Sequence, residues 1–307
     1  MLSPTLTSCG ALGAAAIARS LGGGPSGGGW HRAPCPVHNG KSRSLSIRDT
    51  SDGLFVHCFA GCPPDAVLTC LGLPGGNAKH APAPQQDAAE RQRRLARARE
   101  IWGQAVRADE IYVRPYLWSR LCIADQYAPT IRFHRNLEHS ETRSKRPAMV
   151  CLVQHVEHGS VGVHATYLQL DSDLIARKAP VEPVRKSFGP IGGGAVRLGE
   201  IGNDGALVVG EGIETTLSVA LSLGYPGWAA LSAGGIAALV LPPQACRIYL
   251  AADNDPNRVG QLKALAAAAR WRADGRRVIV AWPPDPGRDF NDVLVSDGVL
   301  GLGGTGG

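Results

Sequence analysis

Four residues near the start of the chain are spaced to hold one metal ion. Cys35 and His38 stand in Cys35-Pro36-Val37-His38, and Cys58 and Cys62 are separated by three residues further on. Between them Leu45 and Ile47, then Leu54 and Val56, alternate with polar residues and predict a β-hairpin turning near Asp52-Gly53. That hairpin brings the two knuckles together. Three thiolates and one imidazole form the tetrahedral N/S set that zinc prefers, and a closed shell of four protein ligands is structural rather than catalytic. His57 is an alternative ligand to Cys58, although strand alternation points it the other way. His31 and Cys70 lie just outside the group and read as structural. A domain with so few large apolar residues needs the metal in order to fold. Lys41, Arg43 and Arg48 on the hairpin either face a nucleic-acid backbone or form an ordinary solvated surface.

A second group is acidic. Glu211 follows the apolar run 206–210, Asp253 and Asp255 follow 247–252, and Asp289 and Asp292 follow 277–282. In a parallel α/β sheet, chemistry gathers at the carboxyl ends of the strands. Carboxylates converging there repel one another, and divalent cations relieve the repulsion. Oxygen-only ligands suit Mg2+, with Mn2+ as the substitute. Such ions activate an attacking hydroxyl and stabilise a leaving phosphate oxygen. Glu214 lies in a predicted first helical turn, where an acid is favourable for the helix dipole alone, so its position fits either role. Asp255-Pro256-Asn257 also reads as a helix start, and Asp285 as a turn residue.

These groups need elements to carry them. The 307 residues suit two or three small domains. Hydrophobic residues make up 44%, enough for cores, but aromatics only 6%, so Ala, Val and Leu must fill them. The zinc-binding module is expected over 1–74. A Pro/Ala/Gln linker (75–86) and an Arg/Ala/Glu-rich helix (87–100) follow. A mixed α+β region spans 101–200, with strands at 149–153 and 161–170. From 201 to 296 apolar strands (206–210, 227–231, 247–252, 277–282) alternate with helices. One helix carries Ile213, Leu217, Ala220 and Leu221 on one face and stops at Gly224. Another, Ala-rich, runs to Ala273. That alternation predicts an α/β fold with a central parallel sheet flanked by helices. A Gly-rich tail, 297–307, is expected to be flexible.

Charge and cysteine usage bound the setting. Lys and Arg exceed Asp and Glu by 32 to 26, a net charge of +6, which permits a polyanionic partner without establishing one. Eight cysteines are too few for a disulfide scaffold. Cys9, Cys122, Cys151 and Cys246 are scattered singles, and the clustered ones fit bound zinc in a reducing cytoplasm. No apolar run approaches the roughly 20 residues that span a bilayer, and residues 1–17 lack the basic start of a secretion signal. A cytoplasmic protein without a membrane partner is expected.

The stretch 206–294 resembles a Toprim domain, the catalytic fold shared by bacterial-type primases, topoisomerases and some nucleases. Glu211 after the first strand and the pair Asp253 and Asp255 after a later one carry the resemblance. Asp289-Phe290-Asn291-Asp292 is similar to a further acidic motif of the primase-like branch. The Cys-x2-His with its downstream Cys pair resembles the zinc-ribbon-like module at the front of such primases. Its cysteines are commonly spaced by two; the spacing of three in His57-Cys58-Phe59-Ala60-Gly61-Cys62 resembles primase-like proteins of mobile elements. Tyr116-Leu117-Trp118-Ser119-Arg120, the run 162–168 and the Gly-rich run 189–198 are similar to their connecting region.

The resemblance covers most of 17–294 and implies a DNA primase of plasmid and phage type. Such an enzyme copies a single-stranded DNA template into short RNA primers from ribonucleoside triphosphates. It implies catalysis by Glu211, Asp253 and Asp255, with magnesium on these three and on Asp289 and Asp292. It implies structural zinc on Cys35, His38, Cys58 and Cys62. Nucleic-acid or nucleotide contacts then fall to Lys41, Arg43, Arg132, Arg135, Arg143, Lys145, Arg146, Lys186 and Arg197. With no P-loop pattern in the chain, a separate replicative helicase is the expected partner. A Toprim nuclease and a non-catalytic single-stranded-DNA-binding replication protein are the competing readings.

Overall fold

Period-two alternation in 45–58 produces the hairpin, and the Toprim-like alternation of strands and helices produces a sheet. Both are seen in the computed structural model, which describes residues 13–26, 28–38, 43–50, 53–59, 62–73, 88–256 and 258–298. The expected linker at 75–86, Lys41, and all but the first two residues of the expected tail lie outside the described residues. The chain divides into two units, 1–85 and 86–307.

The first unit contains helix α1 (Ala14–Ser20), strands β1 (Gly24–Pro25), β2 (His31–Ala33), β3 (Leu45–Thr50) and β4 (Gly53–Cys58), and helix α2 (Pro64–Cys70). The strands form one antiparallel sheet in chain order. Leu45 pairs with Cys58 and Thr50 with Gly53, so the hairpin turns where alternation predicts. The core is small. Ile17, Leu45, Ile47, Val56, Val67 and Leu68 pack with Cys35, Cys58 and Cys62. The metal-ligand candidates are therefore part of the core itself.

The second unit begins with helix α3 (Ala88–Gln104), strand β5 (Val106–Arg107) and helix α4 (Val113–Ser119). Strands β6 (Ile131–Glu138), β7 (Lys145–His155), β8 (Gly159–Leu170), β9 (Ala176–Lys178), β10 (Arg185–Phe188) and β11 (Ala195–Arg197) follow. Then come β12 (Ala206–Gly210), α5 (Ile213–Leu223), β13 (Gly227–Ala229), α6 (Ala233–Ala238), β14 (Arg247–Ala251), α7 (Val259–Ala273), β15 (Arg277–Ala281) and α8 (Phe290–Asp297). One mixed sheet runs β10-β8-β7-β11-β13-β12-β14-β15. Its last four strands are mutually parallel. β11 pairs antiparallel with both β7 and β13, so it joins the mixed region to the parallel region.

The parallel strands need cover on both faces, and their residues alternate between two cores. Leu207, Val209, Ile248 and Leu250 face one way, under Ile236 of α6 and Ala264, Ala268 and Trp271 of α7. Val208 and Ala251 face the other way, with Val219 and Ala220 of α5 and Phe290 of α8. Alanine lets α7 lie close, and Trp271 supplies the bulk that the aromatic-poor composition otherwise lacks.

Several expected boundaries move, and β7 and β8 outrun the expected 149–153 and 161–170. The helix predicted to stop at Glu100 continues to Gln104, because Ala98 and Ile101 are both buried against the sheet. The strand predicted over 227–231 ends at Ala229. The next two amides leave the ladder and donate to Gly210 O and Glu211 O at 2.8 and 2.7 Å. That departure fixes the backbone of Glu211. Among the described residues, no helix is long and apolar enough to cross a membrane.

Candidate functional site

Cys35 follows β2, Cys58 ends β4 and Cys62 precedes α2, so the hairpin delivers all three thiols and His38 to one place. One ligand atom from each of Cys35, His38, Cys58 and Cys62 lies within 4.8 Å of the others. His38 Nδ1 is 3.1 Å from Cys62 Sγ and 3.6 Å from Cys58 Sγ. His38 Nε2 is 3.1 Å from Ser44 Oγ. Nδ1 thus faces the thiols while Ser44 orients the ring, the arrangement of a metal-bound imidazole. Burial, then the neighbouring thiols Cys58 and Cys35, pushes Cys62 up to about 12. Burial likewise raises Cys35, with Cys58 adding to it. Three thiols cannot all ionise in this space without a cation among them, and zinc fits the donor set. Cys70 is exposed and outside the group.

His155, Glu157 and His158 also come together, on the β7–β8 turn. His155 Nδ1 accepts the Glu157 amide at 3.1 Å, so the neutral ring carries its proton on Nε2. That ring is committed to the turn.

The parallel sheet brings the acids together. Glu211 leaves the end of β12, and Asp253 and Asp255 leave the end of neighbouring β14. Asn254 turns between the two aspartates, donating to Pro283 O at 2.7 Å and accepting from Gln261 Nε2 at 2.6 Å. Gly260, in the first turn of α7, leaves room for the carboxylates. A Cβ there would lie 3.0 Å from Glu211 Oε1 and 3.1 Å from Asp255 Oδ2. Glu211 Oε1 and Asp253 Oδ1 are buried without a hydrogen-bond partner in the described structure. Burial, then Asp253 and Asp255, pushes Glu211 up to about 8, against backbone amides of Asp253 and Ala233. Burial, then Asp289 and Asp255, pushes Asp253 up to about 7, with Arg185 opposing. Burial raises Asp255. Orphaned, mutually repelling carboxylate oxygens fit a divalent cation. The three acids are spaced more widely than the thiol group, since they form no set within 4.8 Å. Mg2+ tolerates that spacing, because it keeps several waters and takes few carboxylates directly.

Asp289 and Asp292 have a further duty. Asp289 is the N-cap of α8 and accepts the Asp292 amide at 2.8 Å, with the reciprocal contact completing a capping box. Asp292 also meets Arg120 at 3.1 Å. Both still sit beside the acid group, where each raises Asp253.

The predicted basic residues are scattered rather than gathered. Arg132 lies over the Trp102 ring at 4.1 Å and Arg197 over Trp228 at 4.4 Å. Arg143 pairs with Glu138 and Lys186 with Glu141, both at 3.1 Å. Arg146 donates to Ser144 at 3.2 Å. Arg43, Arg135 and Lys145 are exposed, and Lys41 lies outside the described residues. Lys178 and Arg185 do gather, at 3.5 and 3.6 Å from Glu214. Nothing local in the sequence shows their convergence on one acid.

With that geometry in place, comparison with known families decides the class of the C-terminal part. Residues 206–299 match the family model described as "Toprim domain". That part of the chain is a Toprim domain. Residues 92–198 match "Domain of unknown function (DUF7146)". No curated protein matches the chain. Among solved structures it is similar to the zinc-binding and RNA polymerase domains of the Aquifex aeolicus primase. The identity is 16%, over 88% of this chain and 76% of that one, with a TM-score of 0.39. It is also similar to a DNA primase domain from Pseudomonas aeruginosa, at 17% identity and a TM-score of 0.34. There it covers 52% of this chain and 51%, about half, of that one. The RNA polymerase domain of the Mycobacterium tuberculosis primase is similar at 14% identity over 53% of this chain and 56% of that one, with a TM-score of 0.31.

The Toprim acids give a pH prediction. Glu211 and Asp253 hold protons more tightly in the folded, metal-free chain than when unfolded. The stability this contributes is full below the ordinary carboxylate range and is lost as pH rises through about 7 and about 8. The metal-free chain is expected to melt at falling temperature from about pH 5 to about pH 8.5, with Mg2+ stabilising it most at the upper end. Thermal melts with and without Mg2+ across that window check it. For the zinc group, elemental analysis is expected to find one zinc per chain, lost in Cys62→Ala. Chelation is expected to abolish amide-exchange protection in β2, β3 and β4.

Proposed function

We propose that the chain is a primase-type nucleotidyltransferase that makes short RNA primers on single-stranded DNA, with Mg2+ at the Toprim acids and structural zinc in the N-terminal unit. The observation that carries this reading is the pair of orphaned, buried oxygens on Glu211 and Asp253, at adjacent strand ends of a Toprim domain. Glu211, Asp253 and Asp255 would hold the cations, with Asp289 and Asp292 completing the acidic wall. When bound, the cations supply charge neutralisation for phosphoryl transfer and lower the pKa of the attacking hydroxyl.

The chain's own groups do the rest. Gly260 keeps the acid site open, and the backbone contacts of Ala230 and Leu231 hold Glu211 at its rim. Lys178 and Arg185 stand as cations on the same side, suited to triphosphate or template phosphate. Exposed Arg135 and Lys145 offer further phosphate contacts, and Arg43 offers one on the zinc-bearing unit. The Cys58/Cys62 spacing is the feature that favours a primase of the type found on plasmids and phages.

The test is incubation with circular single-stranded DNA, ribonucleoside triphosphates and Mg2+. Labelled short RNA is expected, reduced by at least about 100-fold in Asp253→Ala, the scale on which removing a charge-stabilising group slows transfer. Shortened DNA instead marks a Toprim nuclease. Retarded DNA without product marks a non-catalytic binder.

A further inference from the structure

Three residues after Glu211 stands a second acid that holding a metal does not require. Glu214 is 3% exposed. Its Oε1 accepts the Tyr116 hydroxyl and lies 3.5 Å from Lys178 Nζ and 3.6 Å from the Arg185 guanidinium. The four groups come from α5, α4, β9 and β10, so chain segments distant in sequence meet on one carboxylate. Burial opposes its charge, but Arg185, then Lys178 and the Tyr116 hydroxyl, hold it well below the ordinary carboxylate range. Burial holds Lys178 below the ordinary lysine range, with Glu214 opposing it. The Lys178 side chain lies 3.5 Å from that buried carboxylate.

One carboxylate here meets two basic side chains. Arg185 is drawn by Glu214 first, and also by Asp289 and Asp253. Asp253 in turn feels Arg185. Arg185 therefore has two sets of carboxylates within electrostatic reach, and only one of them carries orphaned oxygens. A guanidinium released from Glu214 would find those oxygens, because an unpaired buried charge is costly.

We infer that Glu214 is a positioning residue. It anchors Arg185 and Lys178 as a fixed pair of cations and so withholds Arg185 from Asp253 and Asp289. The acids are left to divalent cations, and the two bases to substrate phosphate. The inference rests on the reading of Glu211, Asp253 and Asp255 as metal acids. A carboxylate is needed for this role; an amide of the same shape could accept hydrogen bonds but would carry no charge to hold the two bases.

The experiment measures Mn2+ binding to the zinc-loaded full chain by electron paramagnetic resonance. Salt is held near about 1 M, where a Debye length of about 3 Å screens the mere loss of a distant charge. If Arg185 occupies the acids about nine-tenths of the time in Glu214→Gln, apparent Mn2+ affinity falls about tenfold. Adding Arg185→Gln to that variant is expected to restore affinity to within about twofold of the parent, since the competitor is gone. Unchanged Mn2+ binding in Glu214→Gln overturns the inference, as does a loss that Arg185→Gln fails to reverse. Glu214→Asp keeps the charge but withdraws it from the bases. It covers the case in which the amide variant does not fold, with a smaller loss expected, again reversed by Arg185→Gln; no loss overturns the inference. Asp253→Asn separates the two levels. If it leaves Mn2+ binding intact, the metal reading itself falls. If it weakens binding while Glu214→Gln does not, only the role of Glu214 falls.

Discussion

Like charges confined in a desolvated space are the constraint on which the C-terminal part of this chain turns. Parallel pairing of β12 with β14 puts Glu211 and Asp253 at adjacent strand ends, and burial then makes it costly for both to ionise. Much of the surrounding structure bears on that conflict. Gly260 keeps side-chain bulk out of the gap, and Asn254, between the two aspartates, is tied to Pro283. The capping box fixes Asp289 and Asp292 beside them. The strands that carry the acids are packed on both faces. A dication is the economical resolution, because it turns repulsion among the acids into shared attraction.

The N-terminal unit meets the same difficulty with softer atoms. Its thiols sit in a core of few large side chains, so the groups that would bind metal also hold the unit together. Ser44 on the far nitrogen of His38 orients the ring toward the thiols. Zinc there would close its shell with protein ligands, which suits a scaffold, whereas the oxygen-lined site suits a harder cation.

The features readable from sequence are local. Uninterrupted apolar runs such as 206–210 announced buried parallel strands, and the acids following them announced a strand-end site. The spacing of Cys35, His38, Cys58 and Cys62 around an alternating hairpin announced their meeting. What stayed hidden depends on contacts across long stretches of chain. Tyr116 and Glu214 are 98 residues apart, and nothing near Glu214 in sequence shows that it is buried between two bases. Charge alone also does not reveal direction. Arg132 and Arg197 look like phosphate contacts in the sequence, yet each places its guanidinium over a tryptophan ring. The spacing Asp289-x-x-Asp292 was read for its acidity, whereas a capping box uses the same spacing to start a helix. The joining role of β11 was equally invisible, because three residues carry too little pattern.

The most direct measurement of the central claim is anomalous diffraction from crystals of the full chain grown with Mn2+. The account predicts a manganese peak in contact with Glu211 and with Asp253 or Asp255, separate from a zinc peak among Cys35, His38, Cys58 and Cys62. A zinc peak with no manganese among those acids, at a cation concentration that saturates binding in solution, would contradict it.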